Sequence, residues 1–269
     1  MKKAVSRVYM TLIFVFLYAP ILLLVVFSFN DTDTKSRTVW SGFSLRWYEM
    51  LFQDRMLLEA LRNTLIIAVC AAVGATILGT VAALGIHSMK SWRKKFVMNI
   101  TNLPMLNPEI VTGVSLMLLM VFVANLFGVT LGIVSIILAH ITFCLPYVIL
   151  SVLPKLGQMD PHLFEAAQDL GCTPVRSFFK VVLPEIMSGV ITGMVMAFTL
   201  SLDDFIISYF CSGTTQTLPV FIYSMTKKRV SPEINALSTL LFAVILILLL
   251  IINIRQGRMG KKAKKEADV

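Results

Sequence analysis

Three carboxylates stand inside long apolar stretches of this 269-residue chain: Glu109, Asp203 and Asp204. An uncompensated charge at the centre of a bilayer costs at least roughly 2.5 kcal/mol, so each acid must face protein, water or a cation. The residues around Asp204 have a pattern. Ser201, Asp204, Ser208 and Cys211 recur at intervals of 3, 4 and 3, which on a helix gathers them into one polar stripe. Asp203 is turned by about 100° from its neighbour and stacks with Thr199 instead. Tyr147, Tyr209 or Phe205 could supply aromatic walls beside these acids. Ser201, Asp204 and Ser208 are therefore the first candidates to line a solute pathway, with Glu109 and Asp203 beside them. A purely structural reading is also open: Asp203 bonding a neighbouring helix, and Glu109 capping a half-helix after Asn107-Pro108. His140, alone among the histidines in lying within an apolar span, reads as a packed, hydrogen-bonded ring or as a ligand.

Other chemistries fit less well. Adjacent aspartates on one helix diverge, whereas an aspartyl catalytic pair shares a proton between two elements. The chain has no HExxH zinc motif, no GxSxG nucleophile elbow and no GxxxxGK[ST] phosphate loop, so no catalytic residue and no metal site are expected, and it cannot hydrolyse ATP by itself. Cys70, Cys144, Cys172 and Cys211 show no CxxC spacing and read as incidental thiols. A channel or an ion-coupled carrier is compatible with intramembrane acids as well.

The elements that position these acids follow from hydropathy. With 57% hydrophobic residues, 14% charged residues and a mean hydropathy of +0.82, the chain is too apolar for water to be its solvent. The net charge of +9 does not point to nucleic acid, because the basic residues flank apolar spans rather than interleave with aromatics. Apolar segments at 8–29, 63–86, 97–127, 131–153, 185–211 and 235–254 predict an all-α integral membrane fold of six spans. The first, of about 22 residues, has no small-x-small cleavage site and is expected to remain as a helix after a short N-terminus, 1–7. The third is too long for one straight crossing, so Pro104 together with Asn107-Pro108 should break or kink it.

Lys and Arg number 16 in the flanks on the N-terminal side and 8 on the other, which predicts both termini in the cytoplasm. The segment 30–62 then lies outside, its Trp40, Trp47 and Tyr48 suited to the bilayer interface, and 255–269 forms a basic cytoplasmic tail. Lys261, Lys262, Lys264 and Lys265 in that tail read as topogenic or as an anionic-lipid contact.

The long cytoplasmic connection, 154–184, carries signals for two short helices. Asp160 and Pro161 start the first, and Gly171 ends it in a left-handed conformation; Thr173 and Pro174 start the second, and Pro184 stops it. Apolar residues recur at helical spacing in each: Leu163, Ala166, Ala167 and Leu170, then Val175, Phe178, Phe179 and Val182. Glu165 pairs with Asp169 and Arg176 with Lys180 at four-residue spacing, giving each helix a face of one sign. Such a loop is either a docking surface or a cap packed on its own membrane domain.

The run EAAQDLGCTPVRSFFKVVLP resembles the EAA loop of ABC importer permeases, a glutamate and two alanines followed by a glycine and a closing Leu-Pro. Ser28-Phe29-Asn30, the segment from His140 to Pro146, Ser201-Leu202-Asp203-Asp204 and the segment from Ser231 to Ala236 extend the resemblance over most of the chain, toward the polyamine (spermidine/putrescine) permeases of the MetI-like type. Related permeases for opines, aminophosphonates, thiamine or ferric iron share some of these features. The resemblance implies a multi-pass permease of the bacterial inner membrane, coupled through Glu165, Ala166, Ala167 and Gly171 to an ATPase. It further implies two ATP-binding subunits that hold ATP and Mg, a second homologous permease and an extracytoplasmic solute-binding protein. No cofactor is implied for this chain itself.

Overall fold

The computed structural model describes residues 2–31, 39–128, 130–160, 162–228, 233–244, 246–247 and 250. Helix predominates because, in hydrocarbon, every backbone N–H and C=O must find its partner within the segment. The helices are α1 (Lys2–Phe27), α2 (Arg46–Gln53), α3 (Arg55–His87), α4 (Ser91–Leu106), α5 (Glu109–Phe127), α6 (Ile133–Gln158), α7 (Leu163–Asp169), α8 (Pro174–Ser177), α9 (Leu183–Asp203), α10 (Ile206–Cys211) and α11 (Leu218–Lys228). An apolar helix, α12, follows at Glu233–Val244. Among the described residues five helical stretches are long and apolar enough to cross a membrane: Ser6–Phe27, Arg55–His87, Glu109–Phe127, Ile133–Gln158 and Pro174–Asp203. They match the first five expected spans. The sixth is described only over α12, and the tail 255–269 lies outside the described residues.

The chain divides into two compact units. In the first, residues 1–58 and 222–269, α1 is apolar on every side and none of its apolar window is buried, as suits a helix surrounded by lipid. Just after it, Asn30 organises the segment that follows. Its Nδ2 donates to the Val39 carbonyl at 2.9 Å, its Oδ1 accepts from the Ser41 N–H at 2.7 Å, and its carbonyl accepts from Trp47 Nε1 at 2.9 Å. Ser28 Oγ lies 2.7 Å from Tyr48 Oη, and Phe29 stacks on Phe43. The expectation for the aromatics thus divides: Trp40 is exposed, as an interfacial residue is, whereas Trp47 is buried and holds the segment together.

The second unit, residues 59–221, is built around α6. Its Ile136, Ala139, Cys144, Val148, Val152 and Leu156 are fully or almost fully buried in one core with residues of α3, α5 and α9. Helices α6 and α9 run antiparallel in a four-residue register: His140 meets Ser201, Cys144 meets Ala197, Val148 meets Gly193 and Val152 meets Gly189. Small residues on the α9 side permit this approach. A Cβ at Gly189 would stand 2.8 Å from the Ser151 carbonyl oxygen, and one at Gly193 would stand 3.2 Å from Val148 Cα. Close backbone contact of this kind replaces the hydrophobic drive that is absent between helices in lipid.

The third span breaks as expected, at Asn107-Pro108 between α4 and α5, with Pro104 accommodated within α4. Two other expectations are corrected. Helix α6 continues through Pro154 to Gln158, so the loop starts later than expected. Pro184 does not stop the second loop helix; α8 runs through a π-helical turn, Phe178–Val182, directly into α9. The Leu183 N–H bonds to the Phe178 carbonyl five residues back. This widened turn precedes Pro184, which has no N–H to donate and whose ring would otherwise crowd the carbonyl four residues before it. The resulting rod, Pro174–Asp203, has 30 residues and is therefore about 45 Å long, exceeding the roughly 30 Å hydrocarbon core, so its first turns stand outside the membrane.

Candidate functional site

The expected stripe on a continuous fifth span does not form, because α9 ends at Asp203. Asp204 is extended (φ −64°, ψ 118°) and α10 begins at Ile206. The break leaves α10 with N–H groups that have no helical partner, and the Asp204 carboxylate takes one of them: Oδ2 accepts from the Ser208 N–H at 2.9 Å. His140 on α6 joins the halves. Its Nδ1 lies 2.6 Å from Ser201 Oγ on α9, and its Nε2 lies 3.2 Å from Ser208 Oγ on α10 and 3.4 Å from Asp204 Oδ2. All four side chains are buried: Ser201 and Ser208 are each 2% exposed, and the His140 and Asp204 side chains 1% and 6%. Ser201, Asp204 and Ser208 therefore turn inward, toward α6, instead of onto an open seam of this chain. The reason is that a buried polar atom must find a partner, and His140 supplies partners for all three. For His140 itself the packed, hydrogen-bonded reading describes what the fold does.

Glu109 and Asp203 behave differently. Both are exposed at the surface of the chain, and their carboxylates interact electrostatically; Glu109 acts in the same way on the partly buried Tyr147 of α6. Glu109 is the first residue of α5, after Pro108, which offers no side-chain cap. The positive end of the helix dipole favours its charge there. Asp203 is the last residue of α9, where the negative dipole end adds to its own charge and raises its attraction for a cation. The Tyr147 ring packs on Phe143, centroids 5.7 Å apart, and Phe143 in turn lines a groove of about 390 Å³ between α4, α5 and α6, with Leu103, Asn107, Val111 and Leu116. Tyr209 is exposed and lines a separate cavity of about 540 Å³ with Met117, Phe210, Gln216 and the turn Ser212–Thr215. Tyr147 thus stands beside the groove through Phe143, whereas Tyr209 lines a different cavity.

The first loop helix starts later than Asp160 and Pro161 suggest. Helix α7 begins at Leu163 after His162, which offers no side-chain cap. Asp160 Oδ1 instead accepts from the His162 N–H at 2.9 Å, and Pro161 lies outside the described residues. At the other end of α7, Gly171 has φ +86°, its N–H bonds to the Gln168 carbonyl at 2.8 Å, and the Cys172 N–H bonds to the Ala167 carbonyl at 3.1 Å. This is a Schellman close, and a left-handed residue is its requirement. Thr173 Oγ1 accepts from the Arg176 N–H, with Pro174 at the first helical position. Burial splits the apolar stripes: Ala167, Ser177 and Val182 are buried, whereas Leu170, Val175 and Phe179 are 86%, 67% and 60% exposed. Glu165 and Ala166 are exposed too. One side of the loop packs onto the membrane domain and the other presents an apolar surface beside acids.

The small-residue ladder Gly189, Gly193, Ala197 and Ser201 escaped the sequence reading, although its four-residue spacing is a recognisable signal for close helix packing. The pairing of His140 with Asp204 had no local signal, since it joins positions 64 residues apart. All four cysteines are free, and among the described residues no cluster of His, Cys, Asp or Glu is arranged to hold a metal.

Comparison with known proteins gives the class of this helical membrane unit, a transport permease. Residues 75–265 match the family described as binding-protein-dependent transport system inner membrane component, and the chain belongs to that family of multi-pass ABC importer permeases. It is 44% identical to the putrescine transport system permease protein PotI of Escherichia coli K12, over 86% of this chain and 83% of that one. It is 39% identical to the spermidine/putrescine transport system permease protein PotC of the same organism, over 90% of each chain. Among solved structures, a bacterial ABC transporter involved in import of the acidic polysaccharide alginate covers 95% of both chains at 18% identity with a TM-score of 0.72. An amino acid ABC transporter with histidines aligns over 80% of this chain with a TM-score of 0.56. These structures show the fold alone.

Proposed function

We propose that this chain is the permease half of an ATP-driven importer that carries polyamines, putrescine or spermidine, across the cytoplasmic membrane. The observation that supports the reading best is that Glu109 and Asp203 are both exposed, at the start of α5 and the end of α9, in a chain whose Tyr147 and Phe143 pack together on α6. Two like-charged acids within an apolar span are stabilised by a cationic counterpart. Separated acids with an aromatic and aliphatic wall between them bind a diamine at both ends while its methylenes stay dry. The names of the relatives at 44% and 39% identity point to the same solutes. In this reading Glu109 and Asp203 contact the solute with Tyr147, while Asp204, Ser201 and Ser208 support them from within.

Energy arrives from outside the chain. Two ATP-binding subunits hold ATP and Mg, and a second, homologous permease completes the pathway; an extracytoplasmic binding protein delivers solute. The ATPase docks on Glu165, Ala166, Ala167 and Gly171, where Leu170, Val175 and Phe179 offer it apolar area, and the continuous rod Pro174–Asp203 carries its movement to the acids. Basic flanks place both termini in the cytoplasm.

The test is uptake of labelled putrescine and spermidine by the complete assembly in proteoliposomes. ATP-dependent, saturable uptake of either is expected. Uptake of neither, with ATP hydrolysis intact, would refute the substrate assignment. Transport without any ATPase partner would refute the importer mechanism in favour of a carrier.

A further inference from the structure

The fifth span is interrupted at the position where an acid faces the solute, and a single imidazole from another helix holds both ends of the interruption. Ser201 belongs to α9, Asp204 to the break and Ser208 to α10, and His140 reaches all three at 2.6, 3.4 and 3.2 Å. A break of this kind is a joint. Locally, the Asp204 cap on the Ser208 N–H ties the break to α10, whereas the Tyr209 N–H to Phe205 carbonyl bond lies on the α10 side of it. Neither bond spans from the body of α9 to the body of α10.

The imidazole supplies that span. A neutral ring with its proton on Nε2 donates toward Asp204 Oδ2 and Ser208 Oγ and accepts the Ser201 hydroxyl proton at Nδ1, so each ring nitrogen is used without burying a net positive charge. Helix α6 is a rigid anchor for it: Ile136, Ala139 and Cys144 around the ring are entirely buried. On α10 the next turn is fixed as well, with Ser135 of α6 donating to the Cys211 carbonyl at 3.0 Å. Asp203 directly precedes the joint, so the angle held there decides where its carboxylate points.

We infer that His140 is a positioning residue of transport: it locks the angle of the α9–α10 joint and thereby aims the Asp203 carboxylate into the solute pathway. This rests on the reading of Asp203 as a solute-facing acid, and two measurements separate the two claims.

The first measures the joint without solute. In the complete assembly in nanodiscs, with Cys70 and Cys172 replaced by serine, spin labels at Met196 on α9 and Thr214 beyond α10 give a single narrow distance. His140→Ala broadens it, and His140→Gln, whose amide nitrogen can occupy the Nε2 position, restores most of it. The second is uptake. His140→Ala raises the half-saturating putrescine concentration roughly tenfold with the maximal ATP hydrolysis rate little changed, and Ser201→Ala and Ser208→Ala, which remove one arm each with little change of volume, produce part of the same shift. An unchanged distance in an assembled His140→Ala complex overturns the inference. Loss of assembly in all three variants overturns it as well, since the cluster is then packing alone. A broadened distance with unaltered half-saturation keeps the lock but overturns the solute-facing role of Asp203.

Discussion

His140 Nε2 and Asp204 Oδ2 lie 3.4 Å apart, on side chains 1% and 6% exposed, at the point where the fifth span changes direction. The acid that spacing marks for the solute is engaged inside the chain, and its neighbour Asp203, the last residue of α9, is exposed.

That division of labour predicts opposite behaviour from adjacent substitutions. Asp203→Asn, measured by putrescine uptake in proteoliposomes, raises half-saturation by about tenfold or more while the assembly stays intact, because it removes a charge from the solute site. Asp204→Ala removes the partner of a buried N–H and lowers stability by about 1 to 3 kcal/mol, seen as an earlier thermal transition in detergent. A silent Asp203→Asn together with a large uptake defect in a stable Asp204→Ala would reverse the two roles.

Gly171 carries φ +86° with open space around its Cβ position, so conformation and not crowding restricts it. A β-branched residue there costs about 1 to 2 kcal/mol of backbone strain and unseats the Schellman close. Gly171→Val is expected to insert normally and to lose permease-stimulated ATP hydrolysis; Gly171→Asn, which tolerates the left-handed region, should keep much of it. Full stimulation in the valine variant would contradict docking at this loop.

Along α6 and α9, Gly189→Val drives a side chain into the Ser151 carbonyl, 2.8 Å from the added Cβ, and should destabilise by about 1 to 3 kcal/mol. Gly85→Ala is the control: nothing lies within 4 Å of its Cβ, and the thermal transition should stay in place or rise. Equal effects of the two would show that the α6–α9 contact is not the tight one.

In the segment after α1, Asn30 is 1% exposed, and its side chain holds both the Val39 carbonyl and the Ser41 N–H. Asn30→Ala should cost about 1 to 3 kcal/mol locally and speed protease cleavage of this segment in intact cells or right-side-out vesicles. Trp47→Phe, which loses one bond to the Asn30 carbonyl, should show a weaker form of the same effect, about 1 kcal/mol.

Much of this architecture was legible because it is dictated locally. Hydropathy located five described spans, Asn107-Pro108 marked a real break, and Gly171, Thr173 and Pro174 mark ends of the loop helices by chemistry that acts within a few residues. The failures have one cause. Pro184 looks like a stop until a π-helical turn, stabilised by the packing of Phe178 and Val182 on the core, makes room for it. The stripe Ser201, Asp204 and Ser208 looks like a pathway until the helix breaks under it.

The sequence by itself determined the solvent, the spans, the loop and the identity of the acids, since each depends on residue type and on periodicity along one element. Only the tertiary structure decided which acid faces outward. That choice depends on His140, 61 residues before Ser201 and 68 before Ser208, arriving on a helix whose register against α9 is set by Gly189, Gly193 and Ala197. A buried carboxylate requires a partner, and which carboxylate obtains one is settled where two helices meet.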